Sequence, residues 1–126
     1  MRAIEIQLPA PAKKLLIRVF VDSTALHTYW HCHRLPSRSF SVDGRQFHVC
    51  ARCTGLIVGM FAAPLWVLVG ANSGGVLLGA LVVNMLDGGT QLVGWRQSSN
   101  LVRFALGLIV SASGLAFLYR LLGQLA

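Results

Sequence analysis

From Thr54 onward the chain is a series of apolar segments, 54–72, 75–95 and 101–122, separated by short breaks. At about 1.5 Å of helical rise per residue each reaches across a hydrocarbon core of about 30 Å. Between Arg52 and Arg96 the only charged residue is Asp87. The two-residue Ser73-Gly74 break joins the first two segments into a helical hairpin, and the polar stretch Arg96 to Asn100 leads into the third. The pattern before Thr54 is different. Ile4, Ile6 and Leu8 alternate with Glu5 and Gln7 in one strand-like piece that Pro9 and Pro11 end. Lys13 to Trp30 mixes Leu15, Leu16, Val19, Phe20, Leu26, Tyr29 and Trp30 with Lys13, Lys14, Arg18 and Asp22. Its apolar core is too short to span, so it reads as an interfacial amphipathic helix, with a helix packed on its own protein as the alternative. Residues 31–53 carry no sustained period: Pro36, Ser37, Ser39, Ser41 and the Asp43-Gly44 turn signal break it into a looped insert.

The expectation is an all-α membrane protein: three transmembrane helices after an N-terminal interfacial helix (1–30) and a Cys/His/Arg-rich loop (31–53), with residues 54–126 as the transmembrane region. Composition agrees, since 55% hydrophobic residues in 126 exceed what an ordinary soluble domain carries. Charge adds orientation. The net +7 comes from 11 Lys and Arg against Glu5, Asp22, Asp43 and Asp87. Eight of the bases precede Cys53, two lie at Arg96 and Arg103, and the carboxyl-terminal tail has only Arg120. Such asymmetry predicts an inner-membrane, multi-pass protein with its amino terminus cytoplasmic, its bases meeting anionic headgroups rather than nucleic acid. Met1 to Lys14 has no apolar signal region, so the spans themselves would direct membrane insertion. Gly55 and Gly59, Gly75 and Gly79, and Gly107 and Ser111 place small residues four apart on each span, which suits a tight bundle or a homo-oligomer.

The candidate chemistry concentrates between His31 and Gly55, where all three cysteines, three of four histidines and four arginines fall within 25 residues. Cys50-Ala51-Arg52-Cys53 is a Cys-x-x-Cys pair, whose short reach lets two thiolates grip one tetrahedral ion. Cys32 and a histidine complete a zinc-type set with a 17-residue spacer between Cys32 and Cys50. His33 is the first choice of nitrogen ligand, with His31 and His48 as alternatives. A cytoplasmic site keeps its thiols reduced, which argues against a structural disulfide. Thiol redox chemistry is the competing use, because Cys53 at the start of a helix beside Arg52 favours the thiolate.

Asp87 is the second constellation. A carboxylate about 12 Å inside the end of its helix by the helical rise is costly unless paired or protonated. Arg96 and Arg103 are its expected charge partners, and Gln91 and Asn100 add amides at the same membrane face. With Arg38 and Arg52 these residues form one arginine-rich polar site suited to an anion such as a lipid phosphate, against the plainer reading of headgroup contacts. Asp87 and Cys53 are the catalytic candidates.

Cys32-His33-Arg34, Pro36, Arg38-Ser39-Phe40, Gly44-Arg45-Gln46-Phe47, Cys50-Ala51-Arg52-Cys53-Thr54-Gly55, then Asp87-Gly88, Gln91, Arg96, Ser98, Asn100, Arg103 and Gly107 occur in order. In these pieces the chain resembles a family of small prokaryotic membrane proteins catalogued as domain of unknown function 2085. The resemblance covers about residues 31 to 110, implies a membrane protein and no particular reaction, and favours His33 over His48, where the family usually has proline. Three uses remain: a metal-holding assembly module, a membrane enzyme acting on a lipid-phase or anionic substrate, and a metal or anion transporter that would need an oligomer to enclose its path.

Overall fold

The computed structural model describes residues 4–30, 32, 35–69 and 72–126. Its elements run β1 (Ile4–Glu5), α1 (Ala10–Leu16), a π-helical turn (Ile17–Val21), α2 (Thr24–Tyr29), a 3₁₀ turn (Pro36–Arg38), β2 (Ser39–Val42), β3 (Arg45–Cys50), α3 (Ala51–Val69), α4 (Ser73–Leu92) and α5 (Asn100–Leu125). The last three helices are long and apolar enough to cross a membrane. Their outer surfaces are greasy: Phe61, Leu68 and Met85 are exposed to the surroundings of the bundle. This is a three-span membrane protein.

The block expected as a looped insert is built on a β-hairpin. Asp43 and Gly44 both take positive φ, 51° and 71°, as a two-residue hairpin turn requires. Alternation then puts Phe40 and Val42 on the same face as Phe47 and Val49, all buried. Phe20 and Val21, from the π turn, close this small core, and the Phe20 and Phe47 rings stack at 5.0 Å. The segment 13–30 is thus three short helical pieces whose inner residues pack on their own protein, while Leu15 and Tyr29 stay exposed. β1 adds to the hairpin edge, parallel to β2.

β3 runs directly into α3 at Ala51, so the Cys-x-x-Cys pair straddles the start of the first span. The α4 helix begins at Ser73 rather than Gly75, capped by Asn72, whose Oδ1 accepts from Gly75 N at 3.1 Å. The main packing is between the parallel helices α3 and α5, then between α4 and α5; the sequential pair α3–α4 contributes little. Glycine decides this. A Cβ on Gly55 would strike the Phe104 carbonyl, one on Gly107 the Arg52 carbonyl, and one on Gly59 the Leu108 backbone. The small-residue faces on α3 and α5 are therefore used inside the chain, whereas a Cβ on Gly79 would meet nothing within 4 Å.

Gly107→Ala is expected to force α3 and α5 apart and lower stability by about 1–3 kcal/mol, the usual cost of overpacking. Gly79→Ala, with nothing in its way, should leave stability unchanged or raise it by up to about 1 kcal/mol. Melting temperature in detergent by intrinsic fluorescence separates the two.

Candidate metal and polar site at the helix ends

α3 leaves this membrane face, α4 returns to it and α5 leaves again, so the start of α3, the end of α4 and the start of α5 meet. The α4 terminus is shaped by Gly94, at φ 79°, with Trp95 N donating to Thr90 O at 3.0 Å and Gly94 N to Gln91 O at 3.2 Å. That left-handed cap reverses the chain and carries Arg96 back toward Asp87. Ser99 caps α5, accepting from Val102 N at 3.3 Å.

Asp87 is 4% exposed. Arg52 Nη2 donates to its Oδ2 at 3.0 Å, Arg96 Nη2 to its Oδ1 at 2.7 Å, and Gln91 Nε2 to Oδ2 at 2.7 Å. The carboxylate is therefore held by side-chain donors from α3, α4 and the α4–α5 loop. Arg103, expected as its partner, is instead bonded to amide oxygens: Nη2 donates to Gln91 Oε1 at 2.6 Å and Nη1 to Asn100 Oδ1 at 3.3 Å. The reason is the α3–α5 contact, which brings the first turn of α3 beside Asp87 and lets Arg52 take the place assigned to Arg103. Asn100 Nδ2 extends the chain of bonds to Ser39 O at 3.3 Å, tying α5 to the hairpin.

The three sulfur atoms of Cys32, Cys50 and Cys53 all lie within 4.8 Å of one another, none in a disulfide. Cys32 Sγ accepts from the Cys50 backbone N–H at 3.2 Å. The Cys50 thiol is pushed down to about 5, because the Cys53 thiol donates to it and the backbone N–H groups of Cys53 and Arg52 at the helix start add to this, against the opposing effect of burial. Such a set fits a thiophilic cation. Tetrahedral Zn–S bonds of about 2.3 Å place sulfurs about 3.8 Å apart, within a small side-chain rotation of the arrangement here. Among the described residues no histidine or carboxylate joins the three cysteines, and His48, on β3, is not in the group. His33 and His31 lie outside the described residues.

The two constellations are adjacent. A cavity of about 150 Å³ is lined by Cys32, Cys50, Arg38, Arg52, Gln91 and Arg103. Arg52 bridges them covalently, its backbone between the two helix-start cysteines and its guanidinium on Asp87. Sequence reasoning grouped Arg52 with the polar site but did not pair it with Asp87; its position inside Cys-x-x-Cys was the available signal.

Fold and site together define a small three-span membrane protein with a clustered tri-cysteine centre beside a buried carboxylate–arginine network. The chain belongs to the family described as Predicted membrane protein (DUF2085), whose model matches residues 32–118, a range that takes in the cysteines, the hairpin and every partner of Asp87. It is similar to an uncharacterised protein of Methanothermobacter thermautotrophicus, 43% identical over an alignment of 99 positions that covers 75% of this chain and 88% of that one. It is also similar to an uncharacterised protein of Methanocaldococcus jannaschii, 40% identical over 85 residues, 62% of this chain; there the match spans about half of the relative, 54%. No solved structure matches the chain.

Asp87→Asn leaves Arg52 and Arg96 without a counter-charge and should cost about 3 kcal/mol, the low end for a broken buried pair because Arg96 reaches the surface. A lower melting temperature in detergent, with the exposed Gln7→Ala as an unaffected control, checks this. For Cys50 the native state binds fewer protons than the unfolded chain between about pH 5 and pH 9, so its contribution to stability grows as pH rises through that window. In metal-free protein, iodoacetamide should accordingly modify Cys50 with a rate that rises around pH 5; a rise only near the ordinary thiol range contradicts the thiolate assignment.

Proposed function

We propose that this protein is an inner-membrane metal protein in which Cys32, Cys50 and Cys53 hold one zinc ion at the cytoplasmic surface. The observation that carries this reading is the convergence of three sulfurs at the start of a spanning helix. Thiolate donors select soft or borderline ions, of which zinc takes four-coordinate sulfur and nitrogen sets. His33, next to Cys32 in sequence, is the proposed nitrogen ligand. A closed set of four protein ligands makes the ion structural, and an open fourth position gives it Lewis acidity. The cytoplasmic amino terminus is supported by the eight bases before Cys53, and a reducing compartment suits three free thiols. In this reading the metal fixes the hairpin onto the span ends, and the Asp87 network next to it is the polar site the metal holds in shape.

A second reading, thiol redox chemistry, is favoured by two free cysteines whose sulfurs lie within 4.8 Å at a helix start, with the Cys50 thiol pushed down to about 5; closing them to a disulfide would take an external disulfide as oxidant.

Elemental analysis of detergent-purified protein, with free thiols counted on the same samples, separates the two. About one zinc per chain is expected for wild type, lost in Cys32→Ser, Cys50→Ser and Cys53→Ser and weakened about tenfold or more in His33→Ala. Absence of metal, together with ready oxidation of Cys50 and Cys53 to a disulfide, would replace the metal reading with the redox one.

A further inference from the structure

Next to the cysteine cavity lies a larger one, about 290 Å³, between the 3₁₀ turn, the end of α4 and the start of α5, lined by Ser37, Arg38, Gln91, Arg96, Ser98 and Arg103. Its charge does not balance. Arg38, Arg52, Arg96 and Arg103 surround a single carboxylate, Asp87, and that carboxylate is already bonded to Arg52 and Arg96. Arg103 is 7% exposed, faces the like charges of Arg38 and Arg52, and among the described residues donates to the neutral amide oxygens of Gln91 and Asn100. Asp87 and Cys50 are the negative groups near it, the first shared by two other arginines and the second committed to its sulfur neighbours. Among the described residues neither Arg38 nor Arg103 forms a salt bridge. A buried guanidinium without a counter-ion is expensive, and an anion in the cavity would remove that cost. The first turn of α5, capped by Ser99 beside Ser98, adds the positive end of a 26-residue helix to the same wall.

An apolar groove on the spanning helices borders the cavity at Arg96. It has a volume of about 200 Å³, lies on the outside of α4 and α5, and is lined by Val83, Leu86, Thr90, Val102 and Leu106 with Asp87 at its polar end. Val83, Leu86 and Val102 are exposed on the surface of spanning helices, where acyl chains would lie. A soluble anion has no use for such a groove; an amphiphile uses both parts.

We propose that this cleft is a binding site for a lipid phosphomonoester, with the phosphate received by Arg38, Arg96 and Arg103 and the first acyl carbons laid along the α4–α5 groove. Planar guanidiniums take two phosphate oxygens at once, and an excess of positive charge favours a doubly charged monoester over a singly charged diester. None of the three cysteines is among the groups that would receive the phosphate or the acyl chain.

The test is binding of monomeric dihexanoyl phosphatidic acid to detergent-purified wild-type protein by calorimetry, with dihexanoyl phosphatidylglycerol, dihexanoyl phosphatidylcholine and inorganic phosphate as comparisons. Phosphatidic acid should saturate one site, and the other three should bind about tenfold or more weakly. Arg38→Gln, at an exposed position that does not hold the fold together, should weaken phosphatidic acid about tenfold. Val102→Trp, which fills the groove, should remove the preference for phosphatidic acid over inorganic phosphate while leaving phosphate binding intact. Equal affinity for phosphatidylglycerol would reduce the cleft to general headgroup attraction, and equal affinity for inorganic phosphate would make it a free-anion site. Either result, or unchanged binding in Arg38→Gln, overturns the proposal.

Discussion

A carboxylate buried at the end of a spanning helix has to be neutralised locally, and in this protein that requirement organises everything at one membrane face. Asp87 cannot reach bulk water, so it draws Arg52 from the start of α3, Gln91 from its own helix and Arg96 from the following loop. Each donor comes from a different stretch of chain, so satisfying the carboxylate fixes the start of α3, the end of α4 and the loop before α5 relative to one another. Gln91 then passes the constraint on, accepting from Arg103 with its oxygen while donating to Asp87 with its nitrogen. Asn100 carries it to the backbone of β2. A hydrogen-bond chain runs from the hairpin through all three spans.

That chain can form only because α3 and α5 approach to backbone contact. Gly55 and Gly107 sit against each other's helix, and the carbonyl that would clash with a side chain at Gly107 belongs to Arg52 itself. The close approach therefore positions the residue that pairs with Asp87. The hairpin supplies the other half of the placement. Its aromatic core seats β3 against α3 and, through the Phe40–Phe104 edge contact at 5.9 Å, against α5. Cys50 at the end of β3 and Cys53 one turn into α3 are thereby held on a rigid corner, and Cys32 is brought to them from eighteen positions earlier. The two polar constellations consequently have opposite character and a common wall. Sulfur ligands suited to a soft cation lie on one side of Arg52, and an excess of guanidinium suited to an oxyanion lies on the other.

The hydrophobic pattern by itself determined that residues 54–126 cross a membrane in three passes, because helices of nineteen or more predominantly apolar residues have no other stable environment. Local chemistry was equally legible. Asp43-Gly44 marked a turn, Cys-x-x-Cys marked two sulfurs within reach of one ion, and a lone aspartate in a span marked a polar site. What stayed hidden was pairing. Phe40, Val42, Phe47 and Val49 alternate around Asp43-Gly44 as hairpin strands do, but over so few residues that prolines and serines nearby outweighed the signal. Arg103 looked like the partner of Asp87 because it lies on the next span, while Arg52 lies thirty-five residues away across a hairpin of helices. Only the packing of parallel helices α3 and α5, set by glycines whose effect is the absence of a side chain, decided which arginine reaches the carboxylate. Periodicity and composition act over one helix at a time. The choice of neighbours is made by steric fit between helices and by the demand that a buried charge find its nearest donors, and both exist only in the folded chain.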